Sequence, residues 1–358
     1  MVLPYSIDEI QDGLREPYKA KRELSELTEG FKHTLVNAQK RWDQRDKSSR
    51  YGLVLNWGLH QSDNWTAACY PVFVERFIKR FDPVVITGQR EYDRRAEELE
   101  HIFAFGVRNK KGPTLEYDIN LNQTVLMFAS DPHDRSEYLH DYIRENEIDY
   151  VLTPFYNPFL YHIPGIDEER LVHFPWPVPD KHIINPDAIE YHGDEAVHIS
   201  GASGSGAYEL RDWCRNHPDV AEHANSGTQN KTMTNSEYYM WLRNFDASIA
   251  AGSLCEQWQY VVPKYYEIPA AGSLLFAQYC EDLDRLGFDD SNCIVFHSKE
   301  DFKKKIEAYL DAPEEYLERR KNGAGLIASE YSISDRLDNV EALFEDQLTA
   351  EYQTIKYE

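Results

Sequence analysis

The sequence contains few cysteines and no recognisable metal-binding motif. Its five cysteines, among 358 residues, lie far apart and form no C-x-x-C pair, and the 13 histidines show no H-E-x-x-H spacing. This pattern disfavours a disulfide framework and a thiolate zinc site. We therefore expect reduced, mostly buried thiols and no bound metal.

Long apolar runs are also missing. No stretch approaches the roughly 18 apolar residues that a membrane-spanning helix requires. The N-terminus does not combine a basic start with an apolar core, as a secretion signal does. We therefore expect no transmembrane segment and a cytoplasmic protein.

Positive charge is scarce. The chain carries 38 basic and 62 acidic side chains, for a net charge of -24. Such a surface repels phosphate backbones, so general nucleic-acid binding is not expected. An anionic ligand would have to be held by a few local cations or by backbone N–H groups. The length and the 42% hydrophobic content suggest two globular domains rather than a disordered chain.

The first fifty residues differ from the rest in charge and pattern. They carry 10 basic and 9 acidic side chains, whereas residues 179–358 carry 16 and 33. Apolar residues recur within them at steps of three and four, which predicts an amphipathic helix in a segment spanning residues 1–49. We expect this helix to pack on its own domain; a membrane-surface or dimer helix is the alternative. The residues of the stripe are Leu24, Leu27, Phe31, Leu35, Ala38 and Trp42.

From residue 51 onward, short apolar strands alternate with helical stripes, which indicates parallel α/β sheets. Residues 173–180 hold three prolines at alternate positions, so we predict an extended linker there. The predicted domains are residues 50–178 and 179–333, and a last helix in residues 334–358 could pack back on the first domain. Two such domains would face a cleft, with ligands outside the carboxyl ends of the strands.

A run of small residues, Ser200–Gly206, follows a predicted strand and precedes a helix. Backbone N–H groups in such a loop can approach a phosphate closely. The spacing fits neither the dinucleotide-binding G-x-G-x-x-G motif nor the P-loop, and a flexible connection explains it equally well. Arg211, a turn beyond the loop, could add a cation or form a surface salt bridge.

A second candidate lies between Pro263 and Gly272. Glu267 on a short helix could bind a ribose diol while Lys264 neutralises a phosphate. This segment resembles the E-x-x-A-x-G element of glycosyltransferases with the GT-B fold, in the group-1-like branch that includes the CgeB spore-maturation family. Further similar segments are Tyr208–Arg211, Ser332–Arg336, Ser130–His133 and Pro154–Asn157.

The resemblance implies two Rossmann-like domains facing a cleft and an enzyme that uses a nucleotide-diphosphate sugar as co-substrate, without a further cofactor or a metal. The second domain would bind this donor, and the first would bind a glycan, lipid-linked or protein acceptor. The N-terminal helix could support an oligomer. Candidate donor-binding residues are Gly201, Ser203, Gly204, Arg211, Lys264, Glu267, Ala271 and Gly272. Candidate acceptor-side residues are Gly58 and Asn157.

Catalysis with inversion would need a general base on the first domain. The candidates by position are His60, Asp131 and His133, with Lys264 stabilising the leaving group. A retaining enzyme would need no such base. A loop histidine is often only a hydrogen-bonding residue, and Asp131 could simply cap the following helix.

One departure from the family pattern leaves other functions open. Related retaining families often carry two glutamates in an E-x7-E spacing; Glu267 matches the second, but Gln259 occupies the first position and Glu256 is out of register. A catalytically inactive GT-B-shaped binding or scaffold protein therefore remains an alternative. A GT-B-fold epimerase or phosphorylase is a third interpretation.

Overall fold

A computed structural model describes residues 30–61, 69–105, 112–223 and 233–345 of the chain. Within these residues, two parallel sheets are joined in sequence. The first has six strands in the order β2-β1-β3-β4-β5-β6, all paired in parallel. Its strands are β1 (Tyr51–Val54), β2 (Val84–Ile86), β3 (His101–Phe105), β4 (Thr124–Phe128), β5 (Tyr150–Thr153) and β6 (Leu171–His173).

The second sheet has five parallel strands in the order β11-β10-β9-β7-β8. The strand order reverses direction between β7 and β9, which is the topological switch point where open α/β sheets bind ligands. Its strands are β7 (Val197–Ser200), β8 (Val220–His223), β9 (Ala247–Ala250), β10 (Leu274–Gln278) and β11 (Ile294–Phe296). The boundaries proposed for the domains remain predictions.

Helices cover the faces of both sheets, as parallel strands require. The first sheet carries a helix over residues 30–43 (α1), followed by α2 (Trp57–Gln61), α3 (Cys69–Phe81), α4 (Gln89–Arg95), α5 (Ser136–Glu145) and α6 (Tyr156–His162). The second carries α7 (Glu209–Arg215), α8 (Asn235–Leu242), α9 (Lys264–Ala270), α10 (Glu281–Arg285), α11 (Lys299–Asp311) and α12 (Leu317–Glu330). The chain then forms α13 (Ile333–Phe344).

Helix α13 returns to the first domain. Arg80 of α3 pairs with Asp338 at 2.5 Å and also with Glu341. The ring of Phe344 packs against that of Phe81, with centroids 5.9 Å apart. The chain therefore crosses between the domains twice, first near residue 178 and again near residue 332.

The amphipathic N-terminal helix does not pack in the expected orientation. Phe31, Leu35 and Trp42 are 65%, 55% and 63% exposed, so their stripe faces solvent. The polar side of α1 faces the domain instead. Leu24 and Leu27 of the same predicted stripe lie outside the described residues.

The carboxyl ends of the two sheets meet. His133, after β4, bonds through Nδ1 to the Tyr260 hydroxyl, after β9, at 2.8 Å. Asp282, after β10, accepts a hydrogen bond of 2.9 Å from the backbone N–H of Asn157, after β5. Because all four residues follow the carboxyl ends of strands, the edges of the two sheets where ligands are expected to bind face and contact one another.

Candidate functional site

A cation and a carboxylate share one hydroxyl at the switch point of the second sheet. Lys264 Nζ donates to the Tyr238 hydroxyl at 3.1 Å, and that hydroxyl donates to Glu267 Oε2 at 3.1 Å. Lys264 Nζ also donates to Ser200 Oγ at 3.2 Å. A small pocket open to solvent lies beside these groups, and its lining includes His198, Trp241 and Phe245.

The local sequence of α9 explains this arrangement. Lys264 begins the helix and Glu267 follows three residues later, so both side chains lie on one face. Glu267 is also in the first turn, where the helix dipole favours a negative charge. The tyrosine comes from α8, whose start is fixed by a capping box between Thr234 and Glu237.

Burial changes the proton affinities of both charged groups. The pKa of Lys264 is lowered to about 8, chiefly by burial; Glu267 opposes this shift and nearby Arg211 contributes to it. Burial raises the pKa of Glu267, against the lowering effects of Lys264 and of the Tyr238 hydroxyl. Burial removes solvation from the charged form of both groups. An anionic ligand beside Lys264 would therefore stabilise the charged lysine and offset part of this cost.

Arg211 adds a second cation to this group. Its side chain is buried and its Nε donates to the carbonyl of Ala251, just after β9, at 2.7 Å. Gly201 has φ 126°, and a β-carbon there would lie 3.0 Å from Arg211 Nη1 and 3.2 Å from Lys264 Cε. A glycine is therefore required at this point for the chain to pass both cations closely.

The glycine–serine loop is held by its own helix. The N–H of Gly204 donates to Asp212 Oδ2 at 2.9 Å. The neighbouring residue Ser203 is exposed to solvent. Asp212 Oδ1 in turn pairs with Arg215 at 2.7 Å, and Arg215 donates to the carbonyl of Gly201. The N–H of Gly204, which the sequence suggested as a phosphate donor, is thus already bonded to a carboxylate of the protein.

Two of the candidate donor residues lie elsewhere. Ala271 and Gly272 follow the C-terminal end of α9, whereas Lys264 starts it, which separates them by the length of the helix. Gly272 has φ 86°, and a β-carbon there would lie 3.1 to 3.3 Å from Ile184 and Ile189. The structure therefore places both residues in packing beneath the cleft rather than beside Lys264.

Tyr238 and Arg215 belong to the site but were not among the sequence candidates. Arg215 follows Arg211 by four residues, so the two stack on one face of α7; this spacing was visible in the sequence. Tyr238 lies 26 residues before Lys264 and meets it only through the fold. No sequence signal marked this tyrosine, because aromatic residues on helices usually serve packing.

The first domain contributes a strained loop to the cleft. Asp131 has φ 57° and Arg135 has φ 60°, a backbone conformation that side chains other than glycine rarely adopt. Between them, His133 bonds to Tyr260 and packs edge-on against Trp258, with ring centroids 4.7 Å apart. The loop therefore presents His133 to the segment of the second domain that carries Gln259.

The remaining candidates sit in different surroundings. His60 is 7% exposed, and burial with the nearby charge of Lys40 lowers its pKa to about 4. Gly58 lies under α1: a β-carbon there would be 2.4 Å from His33 Cα. Asn157 offers its backbone N–H to Asp282.

The described residues contain neither a metal-binding cluster nor a membrane-spanning helix. Among residues 30–61, 69–105, 112–223 and 233–345, no group of three or more His, Cys, Asp or Glu side chains is arranged to hold a metal ion. No helix within these ranges is long and apolar enough to cross a membrane.

The part of the chain that holds the second sheet matches a known protein family. Residues 187–342, somewhat under half of the chain, match the family described as "Glycosyl transferase-like". This region contains Gly201, Arg211, Lys264 and Glu267. A comparison with curated proteins gave no match.

Solved structures share the architecture of both domains. Anabaena Alr3699/HepE in complex with UDP-glucose superposes with a TM-score of 0.51 at 8% identity, over 83% of this chain and 99% of that one. The same protein with UDP and glucose gives a TM-score of 0.52 over the same shares, again at 8% identity. TarM matches at 13% identity over 69% of this chain, with a TM-score of 0.46, and the match spans only 55% of TarM. The likeness to HepE indicates the two-domain GT-B fold, and residues 187–342 match the glycosyl transferase-like family.

Proposed function

We propose that the protein is a nucleotide-sugar-dependent glycosyltransferase. The observation that carries this proposal is the linked group of Lys264, Tyr238 and Glu267 beside Arg211, at the switch point of a glycosyl transferase-like domain. A nucleoside diphosphate offers an anion and a ribose diol, which are the partners that a paired cation and carboxylate can bind together. HepE, which shares the fold, was solved in complex with UDP-glucose.

In the proposed complex, Lys264 and Arg211 hold the diphosphate and Glu267 accepts hydrogen bonds from the ribose. Transfer breaks the bond between the anomeric carbon and the β-phosphate oxygen, and the electron pair leaves with the nucleoside diphosphate. Lys264 and Arg211 stabilise the negative charge that develops there, as preorganised charge that needs no metal ion. An acceptor hydroxyl of a glycan, lipid-linked or protein substrate forms the new bond and loses its proton.

His133 is the group that we propose as the base for that proton in an inverting reaction. It lies at the cleft, in contact with the second domain. His60 is less suited, because a buried imidazole with a pKa of about 4 accepts a proton poorly at neutral pH. Asp131 would position the loop rather than react.

A second function is favoured by one observation. Gln259 occupies the position where related retaining enzymes carry a glutamate, and its side chain donates to the Leu254 carbonyl at 3.2 Å instead of entering the Lys264 group. A protein that binds nucleotide sugars without transferring them would need the diphosphate and ribose contacts but no carboxylate at residue 259.

The test is a panel of UDP-, GDP- and dTDP-sugars incubated with and without candidate acceptors. Release of nucleoside diphosphate that depends on donor and acceptor supports transfer. Saturable binding without release, with every acceptor supplied, supports the binding protein, and absence of binding overturns both. Glu267→Ala should weaken nucleotide binding by about 1–3 kcal/mol if buried ribose hydrogen bonds are lost.

A matched variant separates this effect from misfolding. Glu300→Ala removes a carboxylate from the first turn of α11, on the same domain but outside the Lys264 group. It should leave nucleotide affinity unchanged. If the two variants bind nucleotide with equal affinity, Glu267 does not bind the ribose.

A further inference from the structure

Helix α1 is attached to the first domain by its polar face. Asn37 Oδ1 accepts a hydrogen bond from the Gly58 N–H at 2.8 Å, and Arg41 donates to Thr87 Oγ1 at 2.7 Å. Near the end of the helix, Gln44 bonds to Glu91 at 2.8 Å. These contacts reach the segments that follow β1 and β2, including α2 and α4, so they fix which side of the helix faces outward.

The outward side is apolar. Phe31, Leu35 and Trp42 are 65%, 55% and 63% exposed and lie along one stripe with Ala38. A surface helix normally shows the opposite arrangement, with apolar residues towards the core and polar residues towards water. Because the polar side is already occupied by the domain, the helix cannot rotate to bury the stripe. An apolar patch held outward in this way marks an interaction surface.

The spacing of the stripe suits pairing with another helix. In the sequence, the apolar positions repeat after 11 residues: Leu24 with Leu35, Leu27 with Ala38, and Phe31 with Trp42. A repeat of 11 residues over three turns departs little from the period of a straight α-helix, so the described positions stay on one narrow line. A narrow line is the pattern of a helix–helix seam rather than of a broad face lying in lipid.

Charge also distinguishes the possible partners. The exposed charges on one flank of the stripe are Lys32 near its beginning and Asp43 near its end. Lys47 and Arg50, which follow the helix, are paired with Asp82 and Glu100. Basic and acidic side chains are thus mixed along this segment, and the net charge of -24 opposes contact with an anionic bilayer.

We propose that α1 pairs with α1 of a second copy of this chain, antiparallel about a two-fold axis. In this arrangement Phe31 packs near Trp42 of the other copy, and Lys32 lies on the same flank as Asp43 of the other copy. A two-fold contact uses the same patch twice, which a single stripe can supply. The exposed apolar side chains Phe31, Leu35 and Trp42 are few beside the roughly 20–30 residues a side of a standard interface, so the expected dimer is weak and concentration-dependent.

The test measures the mass of the full chain by sedimentation equilibrium from micromolar to submillimolar concentration. The wild type should shift from monomer to dimer with concentration. Leu35→Glu should remain monomeric, because it places a charge in the seam. Ile119→Glu is the matched control: Ile119 is 56% exposed, outside α1, so its replacement should leave the dimer intact.

A charge exchange tests the orientation. Asp43→Lys should weaken the dimer at low salt, and adding Lys32→Glu to it should restore the wild-type association. The proposal fails if the wild type stays monomeric, or if Leu35→Glu and Ile119→Glu associate equally. The proposal also fails if the wild type stays monomeric and sediments with phosphatidylglycerol vesicles while Leu35→Glu does not. That result would show that the apolar stripe binds a membrane and not a second copy of the chain. None of these outcomes depends on glycosyl transfer.

Discussion

The carboxylate of Asp282 in the second domain accepts a hydrogen bond from the backbone N–H of Asn157 in the first, at 2.9 Å. Asp282 is 1% exposed, so the contact is sealed from water. Burial raises the pKa of Asp282 to about 7, although the backbone bond from Asn157 and the charge of Arg285 oppose the rise. This carboxyl group therefore changes its charge near neutral pH at the boundary between the domains.

Asp282→Asn should change how stability depends on pH. The folded protein binds the proton of Asp282 more tightly than the unfolded chain, whose pKa is near 3.8. Stability from this group is therefore present at low pH and is lost as the pH rises towards about 7, by up to about 1.4 kcal/mol per pH unit. The asparagine variant keeps an oxygen acceptor but not the titration. Urea unfolding at pH 5 and pH 8 should show that the free energy of unfolding falls less between the two pH values in the variant than in the wild type. An equal fall in both proteins would contradict the prediction.

Lys264 should make nucleotide binding sensitive to alkaline pH. Its pKa is lowered to about 8, so it loses its charge as the pH rises through that value. UDP affinity should therefore fall between pH 7 and pH 9 in the wild type. Lys264→Arg stays charged over this range, and its affinity should change less. Calorimetric titration at both pH values measures this, and identical pH dependence in the two proteins would exclude the phosphate role of Lys264.

Asp212→Asn should tighten the binding of UDP. The substitution removes an anion from the Gly204 N–H and leaves Arg215 without one of its carboxylate partners. Both changes favour the binding of a phosphate at the loop. We expect the affinity for UDP to increase a few-fold, which corresponds to a binding free energy on the order of 1 kcal/mol. Asp311→Asn, an exposed position in the same domain, is the control. Unchanged or weaker UDP binding in Asp212→Asn would show that the loop does not contact the phosphates.

His133→Gln should lower kcat by about a hundredfold or more if His133 takes the acceptor proton. Tyr260→Phe removes only the hydroxyl bonded to His133 and should have a smaller effect on kcat. His140→Gln, on the partly exposed side of α5, should be neutral. Rates at saturating donor and acceptor measure kcat apart from binding. A His133→Gln enzyme with wild-type kcat would show that this side chain is not the base.

The sequence predicted the class of both sheets because parallel strands buried on two faces are short apolar runs, such as Thr124–Phe128 and Leu274–Gln278. It did not predict β8, whose four residues are half exposed at a sheet edge and include Glu222 and His223. It also did not predict α12, where two glycines and several charged residues obscure the helical period. Such elements are stabilised by tertiary contacts that a local pattern does not carry.

The candidate site also combines features that the local sequence predicts with features that depend on tertiary packing. Lys264 and Glu267 were predicted together because their spacing on one helix is local. Their link through Tyr238 depends on how α8 packs against α9. The close approach of Arg211 to Gly201 depends on how α7 packs beside the loop after β7. Helix α1 contacts its own domain, as the sequence predicted, but through its polar side, since periodicity locates an apolar stripe and does not say which side of the helix the domain binds.

The two chain crossings between the domains lie next to each other. Val178 donates its N–H to the Tyr331 carbonyl at 2.8 Å and accepts from the Ile333 N–H at 3.2 Å. Because both connections between the domains lie at this one place, a hinge motion of one domain against the other would have its axis there. Such a motion would separate His133 from Tyr260 and Asn157 from Asp282 together.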